Sequence, residues 1–244
     1  VLTWVSDENV YKEFGSTQTV NFVTACLGMW MGLFLAIQEI TKERSIIRRE
    51  YRANLKLAPY VLSKATVLGV LAAVQVATLQ LCVAIMSLLA DKPSPDCSLL
   101  MTPMLENGIT LWLVSFASVC MGLAVSALVK QPERIAPYVL MPQIVLSGVL
   151  FDLGDGGFSK ISRMVFTYWG NRALCISADV NALGEAQAAE QAVPGMESAF
   201  EAVEEYAANA SNLEDCWLAL LLLSVFLLAA TILFLRKLSQ DERA

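Results

Sequence analysis

The chain has 244 residues, of which 56% are apolar and 16% are charged, and its formal net charge is −6. This composition excludes an ordinary soluble domain and predicts an all-α integral membrane protein, organised as a single transmembrane domain over residues 1–244. The chain contains no histidine, which excludes His-based acid–base catalysis and His metal ligation. It also lacks a phosphate loop of the form GxxxxGKS or GxxxxGKT and a basic face suited to nucleic acid.

Five apolar runs without charge approach the roughly 20 residues that a helix needs to cross a bilayer. In chain order, we place these spans at about residues 20–38, 62–90, 108–129, 135–151 and 216–235. The fourth run is short and carries Pro137 and Pro142. We therefore expect a kinked or tilted helix there, with a re-entrant segment as the alternative.

The segment between the first two spans, residues 38–64, carries seven basic residues. They are Lys42, Arg44, Arg48, Arg49, Arg52, Lys56 and Lys64. Short loops rich in Lys and Arg remain cytoplasmic, so this segment is predicted to face the cytoplasm of a multi-pass protein in a plasma or bacterial inner membrane. The outer loop at 152–215, with 11 acidic residues, then lies outside. An outer start followed by five spans also predicts that a first span is missing.

The same segment predicts an amphipathic connecting helix over residues 41–57, because basic residues recur every four positions beside an apolar line. The basic residues are Arg44, Arg48 and Arg52, and the apolar residues are Ile47, Tyr51 and Leu55. Such a helix can lie on membrane lipids or contact a protein partner. The carboxylates of Glu39, Glu43 and Glu50 favour the protein contact, since anionic lipid gives no reason to retain them.

The six cysteines contain no CxxC pair, which argues against a thiolate zinc site or a redox dithiol. Cys175 and Cys216 fall on the predicted outer side, where oxidation can occur. A disulfide between them would close the acidic loop. The alternative is that Cys216 simply begins the last helix.

The connecting segment also carries a pattern of acidic and aromatic residues: Glu43, then Glu50-Tyr51, then Tyr60-x-x-x-Lys64 at the start of the second span. This pattern resembles the transmembrane domain of ABC exporters of the G or White type and their bacterial relatives with a fused ATPase. The resemblance implies a permease that works as a dimer with a nucleotide-binding domain, which binds ATP and Mg²⁺ outside this chain. The residues expected to couple to that ATPase domain are Glu43, Arg44, Arg48, Glu50 and Tyr51.

A second match lies at the end of the fourth span, where Ser147-Gly148-Val149-Leu150 looks like the family's SG-Leu-Leu stretch. The resemblance implies that Val149 and Leu150 form an outer valve, and ordinary helix packing is the alternative. It also implies a central path between the first and fourth spans. The candidate path residues are Leu27, Met31, Val145 and Val149.

The leading hypothesis is the transmembrane half of an ATP-driven exporter that moves a lipid or hydrophobic small molecule by alternating access. The competing hypothesis is a non-transporting membrane scaffold or sensor with a ligand-binding outer loop. An intramembrane enzyme is disfavoured, because the apolar runs that indicate the spans contain no charged residue or histidine.

Overall fold

The computed structural model describes residues 10–52, 56–90, 99–149, 157–191, 200 and 202–240, and these ranges are helical without strands. The helices are α1 (Phe14–Ala36), α2 (Glu39–Arg52), α3 (Leu57–Ala90), α4 (Pro103–Leu128), α5 (Pro132–Val145), α6 (Gly157–Ser162), α7 (Phe166–Ser177), α8 (Val180–Gln191) and α9 (Ala210–Gln240), with a 3-10 turn at Glu204–Tyr206. The predicted all-α membrane class is confirmed.

Four segments of the described chain are long and apolar enough to cross a membrane: Phe14–Ile47, Leu57–Leu89, Pro103–Leu128 and Ala210–Lys237. The predicted fourth span is not among them. Helix α5 has 14 residues with Pro137 and Pro142 inside it, and at 1.5 Å per residue it reaches about 21 Å, short of the roughly 30 Å hydrocarbon core. It ends before Gly148, whose φ of 81° does not continue a right-handed helix. The count of five spans stays a prediction.

Helices α1 and α4 approach each other closely. A Cβ atom placed on Gly32 of α1 would lie 2.1 Å from the carbonyl oxygen of Ser115 on α4. One turn away, the Ser118 hydroxyl donates a 2.5 Å hydrogen bond to the Met29 carbonyl. Gly28 and Gly32 thus form a small-xxx-small surface that lets the two backbones approach closely, as is common between membrane helices.

The predicted outer loop contains a buried helix. In α7, ten of the twelve residues are buried, and the helix packs against α1, α4 and α9. Its start is held by the buried Gln143 of α5, whose side-chain oxygen accepts a 3.2 Å hydrogen bond from the Phe166 amide. The last helix begins at Ala210 rather than near residue 216, because the acidic pair Glu214-Asp215 is accommodated within its first turns.

Consecutive long helices alternate in direction, which gives the molecule two ends. At the connector end lie α2, the starts of α3 and α5, and the ends of α1, α4 and α9. An apolar cluster there joins Ile40 and Ile47 of α2 to Leu57 and Val61 of α3 and to Leu235 of α9. The opposite end holds α7, the 3-10 turn and the start of α4.

Candidate functional site

Helix α2 is attached to α4 by hydroxyl groups. The Ser126 hydroxyl oxygen accepts hydrogen bonds from the backbone amides of Ile40 and Thr41 at 3.1 and 3.0 Å. These amides belong to the first turn of α2, so Ser126 caps this helix from a different helix. The Thr41 hydroxyl in turn donates to the Ser126 carbonyl at 2.9 Å. The start of α2 is therefore fixed to the end of α4.

The other attachment of α2 is an ionic cluster with α3. The Lys64 ammonium lies 2.7 Å from a Glu43 oxygen and 3.2 Å from a Glu39 oxygen. The Tyr60 hydroxyl donates a 2.7 Å hydrogen bond to the second Glu43 oxygen. Each helix supplies two side chains four residues apart, so the four groups face one another across the α2–α3 contact.

Glu43 is the centre of this cluster, since both of its oxygens have partners. One oxygen accepts from the Lys64 ammonium and the other from the Tyr60 hydroxyl. The Glu43 side chain is 36% exposed, against 22% for that of Lys64, so solvent weakens the pair without removing it.

Three of the five coupling residues predicted from the sequence have described side chains, and these face in different directions. Glu43 faces α3, and Arg44 lies half-buried against α4, where one guanidinium nitrogen is 3.4 Å from the Ala127 carbonyl. Glu50 is exposed on the outer surface of α2. Arg48 and Tyr51 lie within α2, but their side chains are outside the described residues.

One face of α2 is exposed. It contains Ser45, Ile46, Arg49 and Glu50, all exposed, and the Ile46 side chain is 45% exposed despite being apolar. We call these four residues the outward face. The arginines that recur every four residues in the sequence did not identify the outward face, because Arg44 turns inward toward α4.

The predicted path residues lie in different parts of the described chain. Leu27 lines a cavity of about 280 Å³ between α1, α3 and α4 that does not include the other three. Val145 is exposed on α5, and Val149 packs at the edge of an apolar cluster with Met29 and Leu113. Leu150, the second predicted valve residue, lies outside the described residues.

Met31, the remaining path residue, is half-buried on α1, and the nearby Trp30 and Phe34 are exposed. Cys175 and Cys216 are both buried, and the disulfide considered between them is not formed in the structure.

Glu106 is a polar residue that the sequence reasoning missed. It is fully buried in the first turn of α4, and one carboxylate oxygen accepts backbone N–H groups from Leu99, Leu100 and Met101 at 2.9, 2.6 and 2.8 Å. The predicted span began at residue 108, because the charge-free apolar run begins there. A carboxylate two residues before that run was the available signal.

The helical bundle with several membrane-length helices defines a multi-pass membrane protein. The sequence model of the family described as "ABC-2 type transporter" matches residues 5–177 of the chain. The chain belongs to this family of ABC transporter membrane domains, and it is a membrane component of a transporter.

A similar protein is the "ABC transporter ATP-binding/permease protein Rv1747" of Mycobacterium tuberculosis (strain ATCC 25618 / H37Rv). The two are 31% identical over 156 residues, which make up 62% of this chain and 18% of that protein. The chain therefore spans less than a fifth of the length of this relative.

Proposed function

We propose that this chain is the transmembrane half of an ATP-driven exporter for a lipid or hydrophobic small molecule, coupled to a nucleotide-binding domain through α2. That domain would bind ATP and Mg²⁺. The observation that carries the proposal is the double attachment of α2: Ser126 fixes it to α4, and the Glu39–Glu43–Lys64 cluster fixes it to α3. A displacement of α2 is thereby passed to two membrane-length helices at once. The relative whose name describes an ATP-binding and permease protein supports the pairing with an ATPase.

The outward face is the part of α2 that would contact the ATPase domain. It combines an exposed apolar side chain, Ile46, with the opposite charges of Arg49 and Glu50. An apolar residue among charged neighbours is typical of a protein contact, since a purely solvated helix face gains nothing from an exposed isoleucine. Glu43 then has a different role from the one its sequence pattern suggested: it holds α2 on α3.

The substrate class is supported by the apolar surfaces of α1 and α5. Trp30 and Phe34 on α1 are 43% and 62% exposed, and Met141 on α5 is 63% exposed. In a dimer these surfaces would enclose the central path, together with Met31 and Val145. Aromatic and methionine side chains suit bulky apolar substrates, because they can repack around different shapes.

The test is charge reversal on the outward face, in the complete transporter with its ATPase domain, reconstituted in vesicles. We expect Glu50→Arg to lower both ATP-dependent movement of a fluorescent phosphatidylcholine analogue and substrate-stimulated ATP hydrolysis by roughly fivefold or more, since it places like charges in an interface. Membrane insertion and thermal stability should be unchanged.

Glu185→Arg is the matched control, because Glu185 is exposed on α8 at the opposite end. If Glu50→Arg transports as well as Glu185→Arg does, the outward face does not couple to the ATPase. If neither protein, nor the parent, moves the lipid analogue or a panel of hydrophobic dyes, the proposed substrate class is wrong.

A further inference from the structure

A polar cavity of about 380 Å³ lies at the connector end, where α2 meets the loop between α4 and α5. Three cationic side chains line it: Lys42 from α2, Lys130 from the loop and Arg134 from α5. The single carboxylate in its lining, that of Glu133, accepts a hydrogen bond from the Gln38 side chain. The lining therefore carries an excess of positive charge.

Little in the described part of the chain neutralises these cations. Lys130 and Arg134 form no ion pair with a described carboxylate, and the Lys42 ammonium lies 3.9 Å from Glu39 with its side chain 62% exposed. The first turn of α5, which begins at Pro132, opens on the same cavity, and amides at the start of a helix carry partial positive charge. The ligand that this lining favours is an anion with several oxygen acceptors.

The cavity walls are held in place by polar contacts. The Thr41 hydroxyl lies within 3.4 Å of the Val129 carbonyl and joins α2 to the loop, while Gln38 joins the α1–α2 turn to α5 through Glu133. These contacts hold the backbone segments that carry the three exposed cations around the cavity.

Apolar surface continues from this cavity along α5. Tyr138 is 78% exposed and lies one helical turn beyond Arg134 on the same face, and Leu128 at the end of α4 is 53% exposed. A basic cavity beside exposed apolar side chains suits a phospholipid, whose head group carries a phosphate and whose acyl chains are apolar. We propose that the cavity binds the phosphate of an anionic phospholipid head group, with its acyl chain along α5. A free phosphate would use only the basic part.

The experiment measures lipid retention by the complete transporter in detergent, using native mass spectrometry with equal amounts of phosphatidylcholine and phosphatidylglycerol. We expect the parent protein to retain phosphatidylglycerol preferentially. The double variant Lys130→Gln/Arg134→Gln should bind it roughly tenfold or more weakly. The control Arg236→Gln/Lys237→Gln removes the same charge at the same end, from the end of α9, and should retain it as the parent does.

Lys42→Gln provides a second test, because this side chain is exposed and its loss should not affect folding; it should weaken retention severalfold. Equal losses in the Lys130/Arg134 variant and the α9 control, or no preference in the parent, would overturn the proposal. Binding of inorganic phosphate by the parent without preferential retention of phosphatidylglycerol would also overturn it and assign the cavity to a soluble anion. The readout is binding, so it does not depend on whether the chain exports lipid.

Discussion

The two ends of the molecule are held together by different kinds of contact. At the connector end, α2 is attached by a buried apolar cluster, by the buried Ser126 hydroxyl and by an ionic cluster with α3 that is partly open to solvent. At the opposite end, α7 is packed into the core, and the 3-10 turn closes over it through the 2.9 Å hydrogen bond from Tyr168 to Glu205.

The two kinds of contact differ in how strongly they resist a displacement of the helices. A packed contact resists small displacements, since protein interiors tolerate few voids. An ion pair at the surface can be lost at a cost of about 1 kcal/mol or less. The ionic contact between α2 and α3 is therefore the attachment that a displacement of α2 would lose at the lowest cost, whereas the α1–α4 pair and α7 resist displacement through their packing.

The largest expected effect is at the α1–α4 contact. We expect Gly32→Ala to lower the stability of the domain by roughly 3 kcal/mol, because the new methyl group would meet the Ser115 backbone at 2.1 Å and the helices must separate. Thermal unfolding in detergent measures this. Gly15→Ala is the control, since nothing lies within 4 Å of a Cβ there. Similar unfolding temperatures for the two variants would contradict the close packing.

A smaller effect is expected at Glu106. Replacement by alanine leaves three backbone N–H groups without their acceptor, and we expect a loss of about 2 kcal/mol. Hydrogen exchange of residues 99–101 should rise more than that of α9. Glu106→Gln keeps an acceptor oxygen and should show part of the effect. Unchanged exchange in the alanine variant would mean that the carboxylate does not hold this segment.

The smallest effect is expected in the ionic cluster. A double-mutant cycle of Glu43→Gln and Lys64→Gln should give a coupling energy of about 1 kcal/mol in thermal stability, because the pair is short but partly exposed. The same cycle for Glu39 and Lys42, which lie 3.9 Å apart with Lys42 62% exposed, should give a value near zero. Equal coupling in both cycles would remove the distinction between the two pairs.

The sequence identified the class of fold, because charge-free apolar runs are a strong signal in a chain of this composition. Helix ends were less accessible: α3 begins at Leu57 and α4 at Pro103, since helices continue past the apolar run into residues such as Lys64 and Glu106. The length of α5 depends on the turn at Gly148, which hydropathy does not report.

The site was only partly accessible from the sequence. The pattern Glu43, Tyr60 and Lys64 was recognised, but only Glu43 was given a role, in coupling to the ATPase domain, whereas the structure joins all three side chains to one another. The spacing of four between Glu39 and Glu43, repeated between Tyr60 and Lys64, was the available signal for two facing helices. The cap that Ser126 provides joins residues 85 and 86 positions apart, and no local pattern reveals such a contact.

Ser126 limits the ways in which α2 can move. Its hydroxyl holds the first turn of that helix, so α2 cannot slide along its own axis without losing its cap. It can instead swing about this point, and Glu50 lies about 13 Å away at 1.5 Å per residue. In the proposed coupling the helix would act as a lever, with its fulcrum at Ser126, its load at Glu43 and the applied force at Glu50.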